Sequence, residues 1–403
     1  MKKILAVFLA VSMLLGLTVT ALAEDTVALL VWVGDDADQA WINGVIDNFK
    51  AANPGTTFDI KVGIQSESTA KATVLTDITA AADVFTFADD QLGELVNAGA
   101  LQPVSLNVED VIARNVGGSV AASTVDGTLY AYPATADNGY FMFYNKEYFT
   151  EEDVMSMDAM LAKAAAAGKK VSMEMSGGWY MYSFFAGAGL TMRLLPDGVN
   201  NECNWNATDT PIKGVDVAQA MLDIAGNSGF VNQGDGEFVT GVKDGTVIAG
   251  INGVWNANTA SEAWGDNYAA TKLPTYTAAG QQVQMASFAG YKLVGVNAYS
   301  ANVGWAMIFA DFMTNEQSQV SRFALRGQGP SNIAAGESPE VQASPAIVAL
   351  AEQNPYATTQ RVGGNYWGPA ASFGAIIYGG NADGTDLQTL LDNMVAGITA
   401  PVQ

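Results

Sequence analysis

The chain has 403 residues, 49% hydrophobic and only 15% charged, with 41 acids against 18 bases and a formal net charge of −23. So negative a surface repels phosphate backbones and anionic lipid, which sets nucleic acid aside as a partner; solubility accounts for the charge itself. The chain has no histidine and a single cysteine, Cys203. That removes histidine triads and general bases, most zinc sites and any internal disulfide in one step.

In chain order, Lys2 and Lys3 precede an apolar stretch from Ile4 to Leu17, and Ala21-Leu22-Ala23 follows as a small-residue cleavage site. This is the layout of a secretory signal peptide over residues 1–23. Loss of the two lysines takes the formal charge from −23 to −25. No cysteine lies near the cleavage site for lipid attachment, and no later apolar run is long enough to cross a bilayer. The expectation is an exported protein of the periplasm or cell surface, with two or three domains by the prior of about 100–200 residues each.

"TVALLVWV" (26–33) is a short apolar run fit for a buried strand, and "GDDAD" follows it. Trp41, Ile42, Val45, Ile46 and Phe49 then recur at helical spacing until Asn53-Pro54-Gly55. "TFDIKVGI" alternates like a strand, "STAKATVLTDITAAA" reads as a helix, "ADVFTFA" as a strand and "DQLGELVNAG" as a helix. A β-α-β-α-β-α order favours a mostly parallel sheet covered by helices. The second half repeats this order. "FMFYN" is a buried strand, "MDAMLAKAAAAG" a helix, "KKVSMEM" a strand, "VDVAQAMLDIAGNSG" a helix and "DGTVIAGI" a strand. "QMASFAGYKLVGVN" has strand character, and "GWAMIFADFMTN", "SPAIVALAEQ" and "DLQTLLDNMVAGI" are helices, the last capped at Thr385.

Trp179 in "SGGWYMY", Trp255 in "INGVWNAN" and Trp367 in "GGNYWGPA" stand beside turn-forming residues rather than inside apolar periodic runs. Aromatics so placed face clefts or pack over loops, and flat rings suit the apolar faces of sugars. Trp41 and Trp305 sit on apolar helix faces and belong to the core. Short acids and amides cluster at predicted strand ends: Asp35, Asp36 and Asp38, then Asp89 and Asp90, then Asp137 and Asn138. Ligands of open α/β sheets bind beyond the carboxyl ends of strands, so these are candidate ligand groups. Asp38 and Asp90 also stand where helices begin, and Asp38 reads better as a cap than as a contact. Paired acids leave glycoside hydrolysis open. "GNADGTDLQ" lacks the closing glutamate of a calcium loop, and no metal or cofactor is expected.

Taken together, "DVFTFADDQLGELVNAGALQPV", "LYAYPATADNGYFMFYNKEYF", "GTVIAGINGVWNAN", "KLPTY" and "GQGPSNIAA" give the chain its resemblance to the extracellular solute-binding proteins of ABC importers. Within them it is most similar to the maltose/maltodextrin binders. The resemblance implies an α/β, two-lobed periplasmic-binding-protein (Venus flytrap) fold, each lobe a mostly parallel sheet flanked by helices. The lobes would be 24–136 with 289–334 and 140–284 with 340–403, joined by crossovers near 137–139, 285–288 and 335–339. It implies a monomeric, non-enzymatic binder that closes on a neutral oligosaccharide, most simply a maltodextrin, and delivers it to membrane permease subunits. Another oligosaccharide, a polyamine and a secreted glycosidase are the alternatives.

Carried over by position, the sugar contacts would be Trp179, Trp255, Trp367, Tyr180, Asp36, Phe87, Asp90, Gln91, Asp137 and Asn138. The chain departs from a well-known maltodextrin binder at several of these places. Ala37 stands for a lysine, Phe87 for a tryptophan, Gln91 and Ala371 for arginines, and Gly177 for a sugar-contacting glutamate. The identity of the sugar is where those departures bear.

Overall fold

The computed structural model of the protein describes residues 26–402, so the predicted export signal lies outside the described residues. From the amino end, β1 (Val27–Val33), α1 (Gln39–Ala52), β2 (Phe58–Ile64), α2 (Ala70–Thr76), β3 (Val84–Ala88) and α3 (Leu92–Asn97) alternate as the periodicity predicts. β4 (Ala131–Thr135) and β5 (Phe141–Asn145) follow, every residue of both buried. Next come α4 (Met157–Ala166), β6 (Lys170–Ser172), α5 (Gly178–Gly187), α6 (Gly214–Ala225), β7 (Phe230–Val231) and α7 (Asp235–Lys243). β8 (Val247–Asn252), α8 (Ala257–Trp264), β9 (Tyr268–Thr271), β10 (Ser287–Ala289) and β11 (Lys292–Val296) lead into α9 (Val303–Met313) and α10 (Glu316–Arg326). The chain closes with α11 (Pro345–Gln353), β12 (Ala357–Thr359), α12 (Trp367–Tyr378) and α13 (Leu387–Ile398).

The strands form two five-stranded sheets, ordered β2-β1-β3-β11-β4 and β7-β6-β8-β5-β9. Three neighbours in each sheet run parallel, with Val31 opposite Val62 and Val84 in the first and Val171 opposite Phe230 in the second. The fourth strand of each sheet, β11 or β5, is antiparallel to both its neighbours. These two strands are the ones on which the chain arrives from the other lobe. An arriving chain enters at the inter-lobe end, whereas the parallel strands leave there, so the entering strand must run the opposite way. β10 and β12 pair in parallel as a separate ribbon, Phe288 opposite Thr358, beside these passages.

Core packing follows the amphipathic spacing. α1 buries Trp41, Ile42, Val45, Ile46 and Phe49, and Phe49 meets Phe309 of α9 edge-on at 5.0 Å. Trp41 donates its indole N–H to the Ser318 carbonyl at 2.9 Å, and Trp305 packs against Phe58 at 5.0 Å. Both belong to the core, as their helix faces predict.

Four expectations shift. The α2 helix stops at Thr76 because the Asp77 carboxylate turns the chain, accepting from the N–H of Thr79 and of Ala80. The strand expected through "QMASFAGYKLVGVN" is split into β10 and β11, since the Tyr291 N–H goes to the Asp89 carboxylate at 2.9 Å instead of a ladder partner. The last helix is capped by Asp386, which accepts from the Thr389 N–H at 3.0 Å, and not by Thr385. Phe87 is fully buried, packed in one core cluster with Phe85, Leu92, Leu95 and Leu293, and is not among the residues lining the inter-lobe cavity. On β3 it shares with Phe85 the face covered by α2 and α3, because alternate strand residues point the same way.

Phe87→Ala is therefore expected to cost about 3–5 kcal/mol of folding stability, as a buried aromatic truncation does. Urea unfolding checks it, and a loss below about 1 kcal/mol would contradict the core placement.

Candidate functional site

A cavity of about 840 Å³ lies between the lobes. Its first wall is built from turns that follow parallel strands. Gly34, Asp35 and Asp38 follow β1, Ser66, Glu67 and Ser68 follow β2, and Asp90 and Gln91 follow β3. Lys292 adds the first residue of the entering strand β11. This is the carboxyl-end position where α/β sheets hold ligands.

The second wall is aromatic. Trp179 and Tyr180 open α5, Trp255 sits in the short 3-10 turn after β8, and Trp367 opens α12. Trp179 lies 5.7 Å from Trp255 and 4.8 Å from Tyr140, whose hydroxyl donates to the Trp179 carbonyl at 2.9 Å. Trp255 folds flat over its own turn because residue 253 is glycine: a Cβ there would stand 2.1 Å from the indole ring. Its N–H donates to the Asp235 carboxylate at 3.2 Å. Glu174 adds a second carboxylate on this side, its pKa raised by burial and then by Asp235 and Glu237.

Beneath the first wall runs a chain of paired charges, buried except at Asp35. Glu67 meets Lys292 at 2.5 Å and Arg322 at 3.0 Å, and Arg326 bridges Asp38 at 3.0 Å and Asp35 at 2.6 Å. The Arg322 guanidinium lies 4.8 Å over the Trp41 ring. Burial alone would raise the Glu67 carboxyl, but Lys292 and Arg322 bring it down to about 2. Removing one partner of such a cluster strands a buried charge, at a cost of about 3–5 kcal/mol. Lys292 also faces the opposite lobe, its ammonium 5.3 Å from the Trp255 ring.

At the end of β3 two carboxylates stand side by side. Asp89 is buried, takes the Tyr291 N–H at 2.9 Å and pairs with Arg361 at 2.7 Å. Asp90 turns into the cavity with Oδ1 buried and without a partner among the described residues. Burial first, and then the neighbouring Asp89, pushes its pKa up to about 7. Cys203 is set apart from all this on a hairpin strand, and burial pushes its thiol up to about 12. At that value it is no nucleophile near neutral pH.

Against this geometry the comparisons with known proteins are consistent. The family model of the bacterial extracellular solute-binding proteins matches residues 44–349. The chain belongs to that family. A galactooligosaccharide-binding protein of Bacillus subtilis (strain 168) is 27% identical over 320 residues, 75% of this chain and 73% of that one. A solved structure with acarbose is 32% identical, with a TM-score of 0.81 over 93% of this chain and 99% of that one. The Thermus thermophilus maltotriose-binding protein, solved with maltotriose, shares the fold at 22% identity, with a TM-score of 0.77 over 92% of this chain and 99% of that one. The two-lobed reading of the sheets is thereby established, and no helix among the described residues is long and apolar enough to cross a membrane.

In this solute-binding protein the cavity gathers Trp179, Trp255, Trp367, Tyr180, Asp90, Gln91 and Asn138. Three other expected residues stay outside it. Phe87 is in the core, as above. Asp36 is exposed: in the 3-10 turn after β1 its neighbours Asp35 and Asp38, three apart, share the inward face and Asp36 points away. Asp137 is buried, and its carboxylate accepts the Gly329 N–H instead of facing the cavity. Asp38 is no cap; its carboxylate is held by Arg326, while Asp35 caps the turn by accepting from the Asp38 N–H at 3.1 Å. Gln91 lines the cavity with both amide ends already bonded, to the Glu67 carbonyl at 2.6 Å and the Lys71 N–H at 2.7 Å. Near Gly177, the position read as a lost glutamate, the Glu174 carboxyl carbon stands 3.2 Å from where a Cβ would be. The acid is present, supplied from three residues upstream.

Asp90 sets a pH dependence. An acid whose folded pKa lies above its unfolded value stabilises the fold fully below the unfolded value, and that contribution is lost as pH rises through the folded one. For Asp90 the window runs from 3.8 to about 7. Asp90→Asn should thus melt higher than wild type at a pH of about 8, with the two converging near pH ~4 in scanning calorimetry. A gap that does not change with pH would contradict this.

Proposed function

We propose that the protein captures a neutral oligosaccharide between its lobes and presents it to the permease of an ABC importer, a maltodextrin being the ligand best supported. One observation carries this reading: three indoles and a tyrosine form one wall of a single cavity whose other wall is hydrogen-bonding turns. Pyranose rings are apolar on their faces and polar on their edges, and this cavity has that division. Its volume of about 840 Å³ is ample for several sugar rings. The relatives add support, since one is solved with acarbose, one binds maltotriose and one is a galactooligosaccharide binder.

Ligand touching both walls favours the closed arrangement by its differential affinity, with the lobes 24–136/289–334 and 140–284/340–403 turning about the three crossovers. Nothing in capture and release needs a nucleophile or a general base. A polyamine is the second reading, because the lining holds six carboxylates (Asp35, Asp38, Glu67, Asp90, Glu174 and Asp235) against two lysines. Three of the six are already neutralised by Arg326, Arg322 and Lys292, which leaves an aromatic wall with few free charges and favours the sugar.

Titration calorimetry with maltotriose, maltotetraose, β-1,4-galactotriose, xylotriose and spermidine tests the proposal. Binding of maltotriose or maltotetraose without release of reducing sugar is the expected result; heat with spermidine alone would overturn it. Trp255→Ala and Trp367→Ala should each weaken sugar binding by about tenfold and leave the thermal midpoint near wild type, as loss of a stacking ring at a wall does.

A further inference from the structure

The turn that follows β8 holds a glycine that its backbone does not require. Gly253 has φ −102° and ψ 173°, extended backbone that any residue adopts. It is buried, and it is not among the residues lining the cavity. What leaves no room for a side chain there is a single group. A Cβ at residue 253 would stand 2.1 Å from Cη2 and from Cζ3 of Trp255 and 2.6 Å from Cε3. Apart from the adjoining residues, these three indole atoms are its nearest neighbours. Carbon atoms make ordinary contact at about 3.5–4.0 Å, so a methyl group would shift that edge of the ring by at least about 1.4 Å.

The rest of the indole is held as well. Its N–H donates to Asp235 Oδ2 at 3.2 Å, and the other oxygen of that carboxylate takes the Asn256 side-chain amide at 3.1 Å. Trp179 lies beside it with ring centres 5.7 Å apart and planes 31° from parallel. From the first lobe, the Lys292 ammonium stands 5.3 Å from the ring centre. These restraints act on the side chain itself, so the plane of the indole is set before a sugar arrives. Immobilising a free side chain on binding costs up to about tenfold in affinity, and a ring already in place avoids that cost.

We infer that Gly253 is a positioning residue of the binding site: by carrying no side chain, it sets the plane in which Trp255 meets a sugar ring. The inference rests on the oligosaccharide reading above. Trp255 lines the cavity and Gly253 does not, so the glycine lies behind the ring. A side chain at 253 pushes the indole forward, into the space where the sugar has to lie, and draws its N–H away from Asp235. The fold keeps its backbone and core, because the obstacle is the outer end of one half-buried side chain.

The test uses the full chain, the variants Gly253→Ala and Trp255→Ala, and the two combined. Titration calorimetry with maltotriose, β-1,4-galactotriose and xylotriose reads sugar binding. Near-ultraviolet circular dichroism without sugar reads the ring position, and thermal melting reads stability. Gly253→Ala should weaken binding of the preferred trisaccharide by about tenfold, as much as Trp255→Ala does. It should add nothing further in the Trp255→Ala background, where the ring that it displaces is gone. Unliganded Gly253→Ala should melt with the wild type and yet differ from it in the dichroism of the closely spaced Trp179–Trp255 pair. Wild-type affinity and dichroism in Gly253→Ala would overturn the assignment. So would an equal loss of affinity with and without the indole, or a clearly lower melting midpoint, either of which marks a merely structural role. A wild-type chain that binds none of the three sugars overturns the oligosaccharide reading and the role in capture with it, while the dichroism still decides whether Gly253 sets the ring.

Discussion

The protein is organised by a topological constraint: a chain that crosses between two sheets must enter each of them at the end facing the other. The entering strands β5 and β11 therefore run against their neighbours, and the first residue of β11 stands at the cavity floor. For β11 that residue is Lys292, which arrives where the turns after β1 and β2 deliver Asp38 and Glu67. The buried carboxylate of Glu67 is tolerable only because this ammonium and the Arg322 guanidinium meet it there. Strand order, cavity floor and charge balance are one arrangement. A strand pairing that slipped would break all of them together.

Much of this was legible in the sequence because it is written locally. Apolar runs and helical spacing placed the strands and long helices, and the glycine or asparagine beside Trp179, Trp255 and Trp367 marked those rings as facing a cleft or packing over a loop, and they line the cavity. What stayed hidden depends on direction or on distant partners. The alternation that buries Phe87 and the turn that exposes Asp36 are each a matter of one residue's register. Glu67 in "QSESTA" has no local signature, since its partners come from elsewhere in the chain. Lys292 left a faint mark, a base opening an apolar strand in a chain with only 18 bases.

The passages between lobes are tied to the site by polar contacts. Arg361 ties the segment after β12 to Asp89 at the end of β3, and the Asp89 carboxylate also holds Tyr291 as the chain enters the first sheet. Asn258 of α8 reaches the Leu325 carbonyl of α10 at 3.2 Å. These are polar contacts that water can replace, so in the proposed opening and closing their loss would be compensated in a way that loss of a packed apolar seam is not.

The division of the cavity into two unlike walls has a consequence for how such a protein can change. The aromatic rings that line the cavity all come from the second lobe, and most of the hydrogen-bonding groups facing them come from the first. Under the proposed function, strength of capture and choice of sugar would be encoded in separate stretches of chain. Substitution in the turns of the first lobe would then redirect the protein to a different saccharide while the aromatic platform, and the packing that supports it, is inherited intact.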